Sequence, residues 1–82
     1  MVPTVDEVMS VISNETGIDK KKIGPSTRLN DLGLTSYSLM RLLMRVEDHF
    51  ECEIDAADLM GVFIQPISDL RDTIERTIVA ST

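Results

Sequence analysis

The sequence predicts an all-α fold, a bundle of three main helices and one short helix with a long loop between the first two helices. Three observations lead to this prediction. Apolar residues recur at helical spacing in three segments, and no stretch sustains the polar and apolar alternation of a half-buried strand. Aromatic residues make up only 4% of the chain against 43% hydrophobic residues, so Leu, Ile, Val and Met must fill the core, which is typical of packed helices.

The first helix is expected from Val5 to about Glu15. Thr4 can cap its first turn, while the Glu7 side chain can return to the Thr4 amide in a capping box. Gly17 stands where a left-handed residue would end the helix. The apolar stripe that faces the core consists of Val5, Val8, Met9, Val11 and Ile12.

A long connection is expected over residues 19–35, where charged residues, Gly24-Pro25 and Gly33 interrupt any periodicity. A loop of this length is uncommon unless it is functional. Its lysine run, Lys20 to Lys22, is interpreted as solvated surface. Four apolar side chains are expected to pin the loop across the bundle: Ile23, Leu29, Leu32 and Leu34.

The second helix is predicted to begin at Ser36 or Tyr37 and to end at about Phe50. Its apolar residues follow the helical period more closely than those of any other segment. The side chains expected to face the core are Leu39, Leu42, Leu43, Val46 and Phe50.

The remainder of the chain predicts a minor helix and a final helix. Asp55 can cap a short helical turn from Ala56 to about Met60, and Pro66 then breaks the chain. The final helix is expected over residues 68–79. A chain of 82 residues has room for only one domain, so residues 1–82 are expected to form a single domain.

The composition excludes several classes of function. The net charge of −6 argues against a nucleic-acid partner, because such a protein needs a basic face. No apolar stretch approaches the roughly 20 residues of a membrane span, and no basic segment followed by an apolar run opens the chain. A cytoplasmic location is therefore expected, and a monomer is expected because the surface is so polar. The lone Cys52, interpreted as a boundary thiol, agrees with a reducing compartment.

An enzymatic mechanism is not expected from the available side chains. The only histidine, His49, lies thirteen residues after Ser36 on the same predicted helix. That spacing corresponds to about 20 Å, too far for a histidine to activate a serine. The sequence also has no paired His and Cys spacing for a metal and no Gly-rich phosphate loop with a lysine, so neither catalytic residues nor a metal site are expected.

The segment from Asp31 to Leu39 is well suited to present one hydroxyl group. Gly33 permits a tight turn, and Ser36 falls where it would cap the second helix with its side chain facing solvent. An anion on that oxygen would lie beside unpaired N–H groups at the positive end of the helix dipole. Asp31 is a candidate to hold a metal ion or to orient a modifying enzyme. An ordinary N-cap serine is the alternative interpretation.

Four residues of this segment, Asp31, Leu32, Gly33 and Ser36, match the phosphopantetheine attachment motif of acyl and peptidyl carrier proteins. The motif is usually written Asp-x-Gly-x-Asp-Ser-Leu or Leu-Gly-Gly-x-Ser-Leu. The chain departs from it at Thr35, where many carriers have Asp, and at Tyr37, where Leu, Met or Ile usually follows the serine. The similarity extends to residues 42–50 and to the segment 59–70, and so covers nearly the whole chain.

The resemblance implies a free-standing carrier protein with a four-helix fold. It implies that a phosphopantetheinyl transferase attaches 4'-phosphopantetheine from coenzyme A to Ser36, with Asp31, Gly33 and Thr35 around the attachment site. The arm would carry acyl, aryl or aminoacyl groups as thioesters in fatty-acid, polyketide or nonribosomal peptide biosynthesis. The chain itself would catalyse no reaction, and Met1 favours a free-standing protein.

The resemblance also implies that partner enzymes contact the outward side of the second helix. These partners would be acyl- or aminoacyl-activating enzymes and downstream synthase enzymes. With arginines on this side and carboxylates further along the chain, docking is expected to be bipolar. In the alternative interpretation, both methionines pack at the edge of the core, and the charged side chains form a solvated surface that binds no partner. The candidate contacts are Tyr37, Met40, Arg41, Met44, Arg45 and Asp48.

A small helical adaptor that binds proteins through the same face, without a prosthetic group, is the competing functional hypothesis. The two hypotheses differ in one observable, since only a carrier gains phosphopantetheine when it is incubated with a transferase and coenzyme A.

Overall fold

The computed structural model describes residues 2–81, and within this range the chain forms four α-helices joined by loops and short 3-10 turns. The helices are α1 (Val5–Thr16), α2 (Ser36–Phe50), α3 (Leu59–Ile64) and α4 (Ile67–Ala80). The 3-10 turns span Lys20–Lys22, Leu29–Leu32 and Ala56–Asp58. Between residues 2 and 81 the only β-type pairing is an isolated bridge between Arg28 and Pro66. The all-α prediction, with three long helices and one short helix, is confirmed.

The ends of α1 follow from local capping interactions. The Thr4 hydroxyl accepts the backbone N–H of Glu7 at 3.0 Å, as predicted. The second half of the capping box was wrong, because the Glu7 carboxylate lies 3.4 Å from the Thr4 hydroxyl rather than at the Thr4 amide. Gly17 ends the helix at a φ of 76°, a conformation that costs glycine little.

The helices share one apolar core, and the predicted core face of α2 is confirmed. Leu42, Leu43, Val46 and Phe50 are buried, and Leu39 is partly buried at the edge. The other helices complete the core with side chains that are also at most 9% exposed: Val8, Val11, Ile12, Val62, Ile67, Leu70 and Ile74.

The long connection between α1 and α2 is anchored by apolar side chains and backbone hydrogen bonds. Ile23 and Leu29 are buried, while Leu32 and Leu34 pack partly buried against the core, as predicted. In addition, two carbonyl groups of the loop accept backbone N–H groups from the first turn of α4, at 2.9 and 3.0 Å. The first N–H groups of a helix have no hydrogen-bond partner within the helix. The loop carbonyls therefore supply the acceptors that the first turn of α4 needs.

The third helix is longer than predicted. Asp55 accepts the Ala57 N–H at 3.1 Å, so the predicted cap is confirmed. However, the helical turn does not stop near Met60 but continues as α3 to Ile64. The final helix begins one residue earlier than predicted, at Ile67, with Pro66 as its N-cap.

Candidate functional site

Ser36 is the first residue of α2, and its side chain is exposed to solvent. The prediction that Ser36 caps this helix was wrong, because Thr35 is the N-cap. The Thr35 hydroxyl accepts the backbone N–H of Ser38 at 3.1 Å and donates to the Ser38 hydroxyl, also at 3.1 Å. Of two neighbouring hydroxyl residues, the one with extended backbone geometry (φ −70°, ψ 163°) takes the capping role.

The Ser36 hydroxyl therefore has no structural role at the helix start. Among residues 2–81 no hydrogen-bond partner contacts this hydroxyl or the backbone N–H groups of Ser36 and Tyr37. The first backbone bond of the helix is made by Leu39, whose N–H donates to the Thr35 carbonyl at 2.9 Å. The site thus combines a free nucleophilic oxygen with two unpaired N–H donors at the positive end of a helix dipole.

The turn before α2 directs the chain into this geometry. Gly33 ends the Leu29–Leu32 turn with a φ of 72°, in the left-handed region. Leu32 and Leu34, on either side of it, pack against the core. Asp31 is exposed on the turn, and within residues 2–81 it belongs to no cluster of side chains that could hold a metal ion.

The outward side of α2 carries three large exposed apolar side chains. Tyr37 is 72% exposed, Met40 45% and Met44 60%. Both methionines thus stand in solvent, and the alternative in which they tuck into the core edge was wrong. The Arg41 guanidinium lies 6.0 Å from the centre of the Tyr37 ring, within the range of a cation–π contact.

A carboxylate on α1 faces both arginines of α2, which the sequence did not predict. The Glu15 carboxylate oxygens lie 3.7 Å from Nη2 of Arg41 and 3.5 Å from Nε of Arg45. The spacing of the two arginines, four residues apart on a helix, shows that they share a side. Their partner depends on the register between α1 and α2, for which the sequence contains no local signal.

His49 lies at the far end of α2 from Ser36, so the prediction that the two cannot form a catalytic pair agrees with the continuous helix between them. Its Nε2 lies 3.9 Å from a carboxylate oxygen of Glu7 on α1. Its ring meets the Phe50 ring edge-on, with 4.8 Å between the ring centres.

Cys52 is a free thiol at the edge of the core, as predicted for a boundary position. Burial raises the pKa of the Cys52 thiol above its ordinary value, and the negative charge of Glu47 raises it further. Glu47 is held in place because one of its carboxylate oxygens accepts the backbone N–H of Ile54 at 2.7 Å.

Comparison with known proteins identifies the family. Residues 6–75 match the family described as "Phosphopantetheine attachment site". The chain belongs to this family. It functions as a phosphopantetheine carrier in biosynthesis, with 4'-phosphopantetheine as its covalently bound cofactor. The family match thus supports the carrier hypothesis over the adaptor hypothesis. Proteins of this family are generally not catalysts.

Several relatives of known function are similar over most of the chain. An acyl carrier protein of Thermotoga maritima is 33% identical over 73 residues, which cover 88% of each chain. An acyl carrier protein of Syntrophobacter fumaroxidans is 29% identical over 75 residues, or 90% of each chain. A non-reducing polyketide synthase of Didymella fabae is 29% identical over 88% of this chain, but the chain spans only 3% of the synthase's length.

The residues at the start of α2 are compatible with this cofactor. A phosphate diester needs an accessible hydroxyl, and Ser36 is exposed and without a hydrogen-bond partner among residues 2–81. The negative charge of a phosphate diester is stabilised by nearby N–H donors. The backbone N–H groups of Ser36 and Tyr37 have no hydrogen-bond partner among residues 2–81 and can serve as such donors. When bound, the group supplies a flexible arm that ends in a thiol for thioester formation.

No helix within residues 2–81 has both the length and the apolar composition needed to cross a membrane.

Proposed function

We propose that Ser36 is the residue to which a phosphopantetheinyl transferase attaches the arm, in the reaction that releases the adenosine bisphosphate part of coenzyme A. The observation that carries this proposal is the exposed hydroxyl on the first turn of α2, which the Thr35 cap leaves free. Esterification would make the oxygen of a capping serine a poorer and more crowded acceptor, and so would weaken the cap. At Ser36 the modification leaves the helix start intact.

The residues around Ser36 have supporting roles in this proposal. Thr35 fixes the first turn of α2 through its bond to the Ser38 N–H. Gly33 permits the turn that brings the chain to the surface. Asp31, exposed on the preceding turn, contacts the transferase while the arm is transferred.

The loaded carrier presents acyl, aryl or aminoacyl thioesters to activating enzymes and downstream synthase enzymes. Tethering raises the effective concentration of the cargo at each active site, and the chain itself contributes no catalytic group. In this proposal residues 1–82 act as one carrier domain and as a monomer. A cytoplasmic location agrees with the free thiol of the lone Cys52.

Partner enzymes bind the carrier at a surface that we call the α2 outward face. It combines exposed apolar side chains with charged ones, as docking surfaces do. Its residues are Tyr37, Met40, Arg41, Met44, Arg45 and Asp48.

Intact-protein mass spectrometry tests the attachment site. Incubation with a broad-specificity phosphopantetheinyl transferase and coenzyme A should add one phosphopantetheine to the wild-type chain and none to Ser36→Ala. Ser38→Ala is the matched control, since it removes the nearest other serine hydroxyl on α2 and should still gain one group. Labelling of Ser36→Ala would refute the assignment. Loading the primed carrier with acyl-transferring or aminoacyl-activating enzymes then separates the two cargo classes.

A further inference from the structure

The α2 outward face carries an excess of positive charge although the chain as a whole is acidic. Along α2, no acidic residue occurs from Ser36 to Val46, whereas Arg41 and Arg45 both lie in this stretch. The side chains of the two arginines are 55% and 58% exposed. The first three turns of the helix thus present cations beside the exposed side chains of Met40 and Met44.

Glu15 is the only carboxylate that forms an ion pair with these arginines among residues 2–81. Its side chain is 24% exposed, and it offers one negative charge to two guanidinium groups. The contacts of 3.5 and 3.7 Å are longer than the about 2.7–2.9 Å of a charge-assisted hydrogen bond. Both guanidinium groups therefore keep donors available for another acceptor.

We propose that the α2 outward face docks protein partners that present carboxylates beside an apolar socket, and that Glu15 occupies, in the free carrier, the position of a partner's carboxylate. This proposal rests on the docking surface proposed above and adds the chemistry of its partner. An acidic partner replaces two long ion pairs, in which both arginines are exposed to water, with shorter ones around Arg41 and Arg45. A basic partner would have to desolvate the same two cations without supplying a counter-charge.

Two synthetic helical peptides test the proposal. They have equal length and the same apolar face and differ only in carrying Glu or Lys on the polar face. Titrations of the ¹⁵N-labelled carrier are followed by amide chemical shifts. The Glu peptide should shift the amides of residues 37–48, and Arg41→Gln combined with Arg45→Gln should abolish this binding. The Lys peptide should leave these amides unchanged.

Glu15→Gln should tighten binding of the Glu peptide by about two- to fivefold, the range expected when a surface ion pair no longer competes. Glu53→Gln is the matched control: it removes the same charge from an exposed residue that lines a groove with Asp55 and Arg76. The dissociation constant of Glu53→Gln for the Glu peptide should stay near that of the wild type.

Three results would overturn the inference. They are unchanged or weaker binding by Glu15→Gln, binding of the Lys peptide at residues 37–48, and concentration-dependent shifts of these amides without peptide, which would indicate a second copy as the occupant. Mass spectrometry of the same variants after priming distinguishes a failure of this inference from a failure of the proposed attachment at Ser36. If all variants are primed while the peptide results are negative, only the partner chemistry is wrong.

Discussion

The Thr35 hydroxyl accepts the backbone N–H of Ser38 at 3.1 Å, and this single bond assigns different roles to two neighbouring hydroxyl residues. Thr35 stabilises the start of α2. Ser36, one position later, stays exposed, with its oxygen available for chemistry. A carrier needs this separation, because a residue that holds the helix together cannot also be esterified without cost.

Because only Thr35 caps the helix, alanine substitutions at Thr35 and Ser36 should change the stability by different amounts. Thr35→Ala should lower the free energy of unfolding by about 1 kcal/mol, the usual loss for a helix cap. Ser36→Ala should change it by less than about 0.5 kcal/mol, since an exposed hydroxyl without a partner is removed. Urea unfolding measures both values, and Thr35→Ser, which retains the capping oxygen, serves as the control. Equal destabilisation by the two alanine variants would show that Ser36 shares the cap.

Gly33 and Gly61 offer a matched pair for testing the turn before α2. At Gly33 (φ 72°) an alanine has open space but an unfavourable backbone conformation, so Gly33→Ala should destabilise the fold by about 1 kcal/mol. Gly61 lies inside α3, where an added Cβ would meet no atom within 4 Å beyond its chain neighbours and its own helix backbone, and its φ is not positive. Gly61→Ala should therefore stabilise the fold by about 0.5–1 kcal/mol. Thermal unfolding compares them, and a neutral Gly33→Ala would contradict the strained turn.

The long helices could be predicted from sequence because periodicity and end signals agree. Thr4, Gly17 and Pro66 mark ends of α1 and α4 to within one residue of those observed. A short helix after Asp55 was predicted, but the extent of α3 could not be, since only Val62 of its six residues is buried and periodicity needs several turns to be visible. Contacts with the Leu29–Leu32 turn, which is distant in sequence, and with the following helix α4 stabilise it instead.

The site could be predicted only in part, because some of its features follow from local sequence signals and others from the backbone path and the packing of helices. The sequence identifies Ser36 and the turn at Gly33, because glycine and a hydroxyl before an apolar period are local signals. Which of Thr35 and Ser36 caps the helix depends on the backbone path after Gly33. The contact of Glu15 with two arginines of α2 depends on how two helices pack. Neither property is encoded in a local pattern.

Leu42 and Met44 lie two residues apart on α2 but face different environments. Leu42 is 0% exposed and Met44 60% exposed. Leu42→Ala should therefore lower the free energy of unfolding by about 2–5 kcal/mol through lost contacts and a cavity. Met44→Ala should lower it by less than about 0.5 kcal/mol. Denaturant unfolding measures the difference, with one m-value, the dependence of the free energy of unfolding on denaturant concentration, applied to both variants. A large loss for Met44→Ala would mean that this side chain packs into the core.

Cys52 should titrate at a higher pH in the folded chain than in the unfolded chain, since burial and the charge of Glu47 both raise its pKa. The iodoacetamide reaction rate, measured against pH, should reach its midpoint above the ordinary thiol value of 9.0 in the native protein and near it in urea.

The same shift couples the protonation of Cys52 to stability. Because the folded state favours the protonated thiol, its contribution to stability is complete below the unfolded pKa and is lost as the pH rises through the folded pKa. Cys52→Ala should remove this part of the alkaline loss.

Glu47→Gln separates the two causes of the shift. It removes the negative charge and leaves the thiol buried, so the native midpoint should fall towards the ordinary value without reaching it, because burial is the larger cause. Glu51→Gln is the matched control, since it removes an exposed carboxylate at the end of the same helix. A native midpoint at or below that of the unfolded chain would show that the thiol is solvated. A midpoint that reached the ordinary value in Glu47→Gln would instead make the charge the dominant cause.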